Sequence, residues 1–164
     1  MTARVSRLNH AVLYVRDAER AAAFYQEAFG FEIVTAFPGA VFLRAAGTDN
    51  HHDLGLFSIG PDAPGPQPGH VGLYHLAWEV PTIEDLAEMA ERLSALGSLV
   101  GASDHGASKS LYAKDIDGNE FEVLWSVPRD AWTPEIEKGA PTRHLDLSAE
   151  LARWGQKTGS SHQG

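Results

Sequence analysis

The sequence predicts an α+β fold in which two pseudo-symmetric β-α-β-β-β modules form a cupped mixed sheet, with helices on its convex face and a C-terminal helical tail. Three observations carry this. The stretches NHAVLYVRDAERAAAFYQEAFGF and YHLAWEVPTIEDLAEMAERLSALGS follow one plan, with His10 and His75 lying 65 residues apart; similarity at such a period marks a duplicated supersecondary unit. In each copy an apolar run of strand character gives way to apolar residues at helical spacing. Between the copies, GPDAPGPQPGHVG is too rich in proline and glycine for regular structure. These features set module one at residues 8–60, a linker at 60–72 and module two at 73–127 of a single domain spanning 1–127, with an extension over 128–164. Modules of roughly 60 residues are marginal alone, so the two are expected to share a sheet or core.

Module one opens with the strand NHAVLYV. Its helix starts at Asp17, a favoured N-cap, turns Phe24, Ala28 and Phe29 toward a core, and stops at Gly30. FEIVTAF, AVFLRAA and HDLGLFSI read as the strands that follow. Module two begins with YHLAWEV. Thr82 with Asp85 three residues on approximates a capping box, Leu86, Ala90, Leu93 and Leu96 hold helical spacing, and Gly97 is the stop. LVGAS, KSLYAKD and EFEVLWSV complete this module. DIDGNE resembles a calcium loop, but Ser126 stands where an EF-hand requires glutamate, so a tight hairpin turn is expected. Beyond Pro128 the chain is turn-rich; LSAELARWGQ reads as a short helix and KTGSSHQG as a frayed end.

Composition removes several function classes. The 164 residues include no cysteine, which excludes disulfides, thiolate metal sites and cysteine nucleophiles. A net charge of −9 disfavours a nucleic-acid partner, which needs a basic face to displace counterions. No apolar run approaches the roughly 18 residues of a membrane span. The N-terminal stretch lacks the apolar core and cleavage site of a secretion signal, so a cytoplasmic location is expected.

Strand alternation sorts the candidate residues. Ala11, Leu13 and Val15 oppose His10, Val12 and Tyr14; Leu76, Trp78 and Val80 oppose His75, Ala77 and Glu79; Phe121, Val123 and Trp125 oppose Glu120, Glu122, Leu124 and Ser126. If the apolar faces carry the helices, His10, His75 and Glu122 project from mixed faces on the concave side. Two neutral imidazoles and a carboxylate suit a divalent transition metal with positions open for substrate. Hydrogen-bonded histidines at strand starts, with a solvated glutamate, would produce the same pattern.

Two β-α-β-β-β modules with a histidine opening each and a glutamate in the last strand resemble the vicinal oxygen chelate superfamily, over about Leu8 to Val127. That superfamily holds glyoxalase I, extradiol dioxygenases, fosfomycin-resistance enzymes, epimerases and metal-free bleomycin-resistance proteins. HGASKSLYAKDIDGNEFE is similar to the extradiol dioxygenase signature through His105, Leu111-Tyr112, Asp115, Gly118 and Glu122, with Ile116 in place of the usual proline. The resemblance implies that His10, His75 and Glu122 bind Fe(II), or Mn(II) or another divalent transition metal. It also implies that His105 and Tyr112 hydrogen-bond the substrate. His52-Asp53-Leu54-Gly55-Leu56 is similar to the stretch that supplies the acid–base histidine, which points to His52 and leaves His51 an incidental neighbour. Aligning LGLF with EVLW sets Leu54 opposite Glu122 and closes the four-ligand arrangement of glyoxalase I.

The activity so implied is Fe(II)-dependent insertion of O2 into a catechol-type aromatic diol with ring opening, by a homodimer or higher homo-oligomer. Two other readings stand beside it. One is a different metal enzyme on the same scaffold, of glyoxalase, epimerase or fosfomycin type. The other is a metal-free protein that sequesters an aromatic compound.

Overall fold

Ala18, Ala21, Ala22, Tyr25 and Ala28 recur at helical spacing and are all buried, so one stripe of the first helix faces a core. A computed structural model describes residues 2–155. The chain divides into two compact units, Met1–Pro66 and Gln67–Gly164. The stretch KTGSSHQG lies outside the described residues. Among the described residues no helix is long and apolar enough to cross a membrane.

The first unit runs β1 (Ala11–Val15), α1 (Ala18–Phe29), β2 (Glu32–Phe37), β3 (Ala40–Arg44) and β4 (Leu54–Ser58). Its sheet has the order β1-β4-β3-β2, with β1 parallel to β4 and the remaining pairs antiparallel. The Asp17 side chain accepts from the Arg20 N–H at the start of α1, and Gly30 ends the helix at φ 68°, a left-handed conformation open to glycine at little cost. The apolar stripe of α1 packs against β3 and β4, where Val41, Leu43, Leu54 and Leu56 are fully buried. Tyr25 is the largest side chain of this core, and Phe29, expected in the core, is only half-buried.

The second unit repeats the plan: β5 (Leu76–Glu79), α2 (Ile83–Ala95), β6 (Leu99–Asp104), β7 (Ser108–Lys114) and β8 (Glu120–Ser126), in the sheet order β5-β8-β7-β6. The described residues therefore form two four-stranded mixed sheets, one per module, and not a single sheet shared by both. The repeat extends to irregularities: a bulge between Ile33 and Thr35 in β2 recurs between Leu99 and Gly101 in β6. The capping box of α2 is complete, with the Asp85 N–H donating to Thr82 Oγ1 and the Thr82 N–H to Asp85 Oδ2. Ile83, Leu86, Met89 and Leu93 bury against a sheet face of Leu111, Ala113, Phe121, Val123 and Trp125.

The DIDGNE stretch is a tight turn, as expected. Asp115 accepts from the Asp117 and Asn119 N–H groups and the Asn119 amide, so its carboxylate is committed to turn geometry. After β8 come a 3-10 turn (Arg129–Ala131), a one-turn helix α3 (Pro134–Glu137) and α4 (Leu147–Trp154). The α3 turn was not expected from the sequence, although Thr133 caps it and Pro134 opens it. Helix α4 packs on α2 and brings Trp154 against Trp125, with ring centroids 5.7 Å apart.

Candidate active site

The mixed face of the second sheet gathers four of the six residues singled out above. Strand β7 pairs with β8 in a register that sets Tyr112 directly opposite Glu122, so both side chains leave the same face. Parallel pairing of β5 with β8 sets Ala77 beside Glu122 and brings His75, just before β5, to the same end. His75 Nε2 lies 3.1 Å from Glu122 Oε2, and Glu122 is only 8% exposed. A carboxylate so buried requires a partner, and this imidazole is one. His75 Nδ1 is buried with no hydrogen-bond partner among the described residues.

Tyr112 adds the next contact. Its hydroxyl lies 2.8 Å from His105 Nε2, and its ring centroid is 5.9 Å from that of His75. Burial raises the Tyr112 pKa, and the charges of Glu122 and Tyr74 push the same way. The phenol therefore stays protonated and keeps a proton to donate. Tyr74, exposed and unremarked in the sequence, packs beside His75 with centroids 4.8 Å apart.

The first unit holds the other two residues. His10 Nδ1 lies 2.8 Å from Asn9 Oδ1, an acceptor, so this nitrogen donates and Nε2 is the nitrogen left to face another partner. The ring of His52 lies 4.6 Å from that of His10 and meets Phe42 edge-on at 5.0 Å. Burial lowers the His52 pKa; His10 and His51 lower it further, against the pull of Asp53. His52 is thus a neutral imidazole around pH 7, able to accept a proton.

Asp53 explains how His52 is held. Its buried carboxylate accepts from the Ala45 N–H at 2.9 Å, the Asn50 amide at 2.7 Å and the Thr48 hydroxyl. Each such bond to a charged group contributes about 1.5–3 kcal/mol, so the loop is locked where β4 begins. His51 is not the incidental neighbour expected: its Nδ1 lies 3.1 Å from His52 Nδ1, and the pair shares a hydrogen.

Register corrects the reading of Leu54. Ala11 pairs with Leu54 in the first sheet and Leu76 with Phe121 in the second. The site-facing position equivalent to Glu122 is therefore Gly55, while Leu54, with no exposure, points into the core. Aligning LGLF with EVLW slipped the strand by one residue, which exchanges the two faces. The chemical consequence survives, because glycine offers no ligand. A Cβ at Gly55 would meet the Phe42 ring at 3.3 Å and Val12 at 3.4 Å, so the space a fourth ligand would need is filled. The same register matches Phe42 with Tyr112, both opposite the critical β4 or β8 residue.

The six residues thus divide as His10 and His52 in the first unit and His75, His105, Tyr112 and Glu122 in the second. Among the described residues no three His, Asp or Glu side chains form a metal-holding group; each unit presents a partial donor set. Imidazole and carboxylate are the donors that Fe(II) and Mn(II) sites use, and His10, which donates through Nδ1, and the His75–Glu122 contact fit that role.

Residues 7–123 match the family described as the Glyoxalase/Bleomycin resistance protein/Dioxygenase superfamily. The chain belongs to that superfamily. Over 159 residues it is 31% identical to a catechol-2,3-dioxygenase of Bacillus subtilis, covering 95% of this chain and 55% of that protein. Over 147 residues it is 28% identical to a manganese-dependent 2,3-dihydroxybiphenyl 1,2-dioxygenase of Geobacillus genomosp. 3, covering 87% of this chain and 42% of that protein. The chain spans about half the length of these relatives. Within the superfamily its fold is that of a solved glyoxylase/bleomycin resistance protein/dioxygenase domain from Frankia sp. EAN1pec, with a TM-score of 0.62 at 20% identity over 76% of this chain and all of that one.

Proposed function

We propose that the protein is an extradiol dioxygenase that opens a catechol-type ring with O2, using Fe(II) or Mn(II) held by His10, His75 and Glu122. The observation that carries the reading is the face shared by Glu122, His75, Tyr112 and His105, which joins two of the three proposed ligands to a polar pair not used in the core. Its support beyond geometry is the likeness to a catechol-2,3-dioxygenase and a 2,3-dihydroxybiphenyl 1,2-dioxygenase. A bound divalent metal would supply Lewis acidity, making a ligated diol hydroxyl acidic near neutral pH and leaving room for O2. Both oxygen atoms enter the product, so no external reductant is required.

The chain's own residues carry the proton chemistry. His52, neutral and beside His10, accepts the proton that the diol releases. The Tyr112 hydroxyl gives its hydrogen to His105 and keeps an oxygen lone pair to accept a hydrogen bond from a substrate hydroxyl. Within the first unit Phe42 offers aromatic surface beside His52, and within the second Tyr74 does so beside His75.

The test is anaerobic reconstitution with Fe(II) or Mn(II), followed by a panel of catechols under O2. The expected outcome is oxygen uptake matched to ring-opened product, with metal content lost in Glu122→Ala. Stoichiometric metal with no oxygen uptake on any catechol would sink the assignment, and full metal retention in Glu122→Ala would remove the ligand set.

A further inference from the structure

His105 is held from both sides of its ring, and only one partner belongs to the module. Nε2 meets the Tyr112 hydroxyl at 2.8 Å; Nδ1 meets Thr142 Oγ1 at 3.0 Å, in the segment after α3. That segment is fastened to the turn carrying His105. The Asp104 N–H donates to Arg143 O at 2.9 Å and the Arg143 N–H to Asp104 O at 2.8 Å, a short antiparallel bridge. Gly106 lies so close to Ala140 that a Cβ on it would stand 2.6 Å from the alanine Cβ, and its φ of 77° suits glycine. The Gly106 N–H also donates to Asp104 Oδ1 at 2.7 Å. The β6–β7 turn and residues 140–143 are therefore one rigid assembly, and Thr142 has a fixed place in it.

We propose that Thr142 is a positioning residue: it holds His105 as the Nδ1–H tautomer, so that Nε2 is a fixed acceptor for the Tyr112 hydroxyl. The proton count follows from the two contacts. A phenol carries its hydrogen at ordinary pH, and the Tyr112 hydroxyl has His105 Nε2 at 2.8 Å to receive it. An imidazole accepting at Nε2 carries its hydrogen at Nδ1 when neutral. That hydrogen goes to Thr142 Oγ1. Orienting Tyr112 matters for catalysis only if the dioxygenase reading holds, so the functional part of this inference rests on that reading. The tautomer itself does not.

The experiment uses the 164-residue chain, 15N-labelled and metal-free, at about pH 8, where an ordinary histidine is neutral. Long-range proton–nitrogen correlation reads which His105 ring nitrogen carries hydrogen, and His105→Gln assigns the signals. The wild type is expected to show the Nδ1–H form as dominant. Thr142→Val should shift the tautomer ratio by about fivefold, the scale of one net hydrogen bond, and Thr142→Ser should restore it. Thr142 is exposed, so removing its hydroxyl leaves the core intact. A dominant Nε2–H form in the wild type, or an unchanged ratio in Thr142→Val, overturns the proposal.

In the metal-loaded enzyme Thr142→Val should lower kcat about fivefold with KM little changed, and Thr142→Ser should recover it. An undiminished kcat in Thr142→Val overturns the positioning role. Absence of any ring-cleaving turnover in the wild type removes the dioxygenase reading instead, and the ring measurement still decides the tautomer.

Discussion

Replacing Lys109 by methionine tests how the C-terminal extension is anchored. Lys109 sits on the core face of β7 opposite Trp125, and its side chain is 5% exposed. Its ammonium reaches Asp104 Oδ1 at 2.5 Å and Glu150 Oε2 at 3.6 Å, which ties the β6–β7 turn to α4. Methionine preserves much of the apolar stem and deletes the charge. Asp104 then keeps the Gly106 N–H and Glu150 keeps the Trp154 indole N–H, but neither retains the lysine. Breaking a buried pair from one side costs about 3–5 kcal/mol. The two carboxylates are 21% and 14% exposed and recover some hydration, so about 2–3 kcal/mol is the expected loss. With a urea slope of about 1–3 kcal/mol per molar for a chain of this size, the midpoint should fall by about 1–2 M at neutral pH.

The pH dependence of that loss carries a sign. Burial alone would raise the Asp104 pKa, but the hydrogen bonds from Lys109 and Gly106 and the charges of Lys109 and Arg143 outweigh it, leaving the pKa lowered. A carboxyl lowered in the folded state adds stability above its unfolded pKa, near 3.9, and loses it as pH falls through the folded value. The gap between wild type and Lys109→Met should therefore be widest at neutral pH and shrink below about pH 4. Urea titrations followed by tryptophan fluorescence at both pH values measure it. A neutral-pH shift under about 0.5 M, or a gap that does not shrink in acid, would refute the reasoning.

Two further outcomes bear on the site. His52→Ala should retain metal, measured by elemental analysis, while turnover falls by about 10²- to 10⁴-fold, the scale of a lost acid–base group. Leu54→Ala should cost about 2–5 kcal/mol in urea unfolding with metal content unchanged, because Leu54 faces the core; metal loss at preserved stability would return it to the site face.

Periodicity and capping were enough to read every strand and both long helices, because those features are local. Asp17, Thr82 with Asp85, and the two helix-ending glycines act within a turn of the residues they govern. The histidines opening each module and Glu122 were legible for the same reason, since strand alternation assigns faces without knowledge of neighbours. Leu54 marks where that stops. Its run LGLF is apolar on both faces, so the pattern did not specify register, and only pairing with β1 showed that Gly55 faces the site. The roles of Asp53, His51, Lys109 and Thr142 depend on partners that the folded backbone brings together, and no local pattern announces them.

The sequence by itself determined the superfamily, the duplicated modules and the chemical types available for a site, since these rest on residue identity and short-range spacing. Tertiary structure alone decided which atoms meet. His75 meets Glu122, His52 meets His10, and His105 is held between Tyr112 and a threonine 37 residues away in the chain. Hydrogen bonds and desolvation act over a few ångströms of space, whatever the distance along the chain.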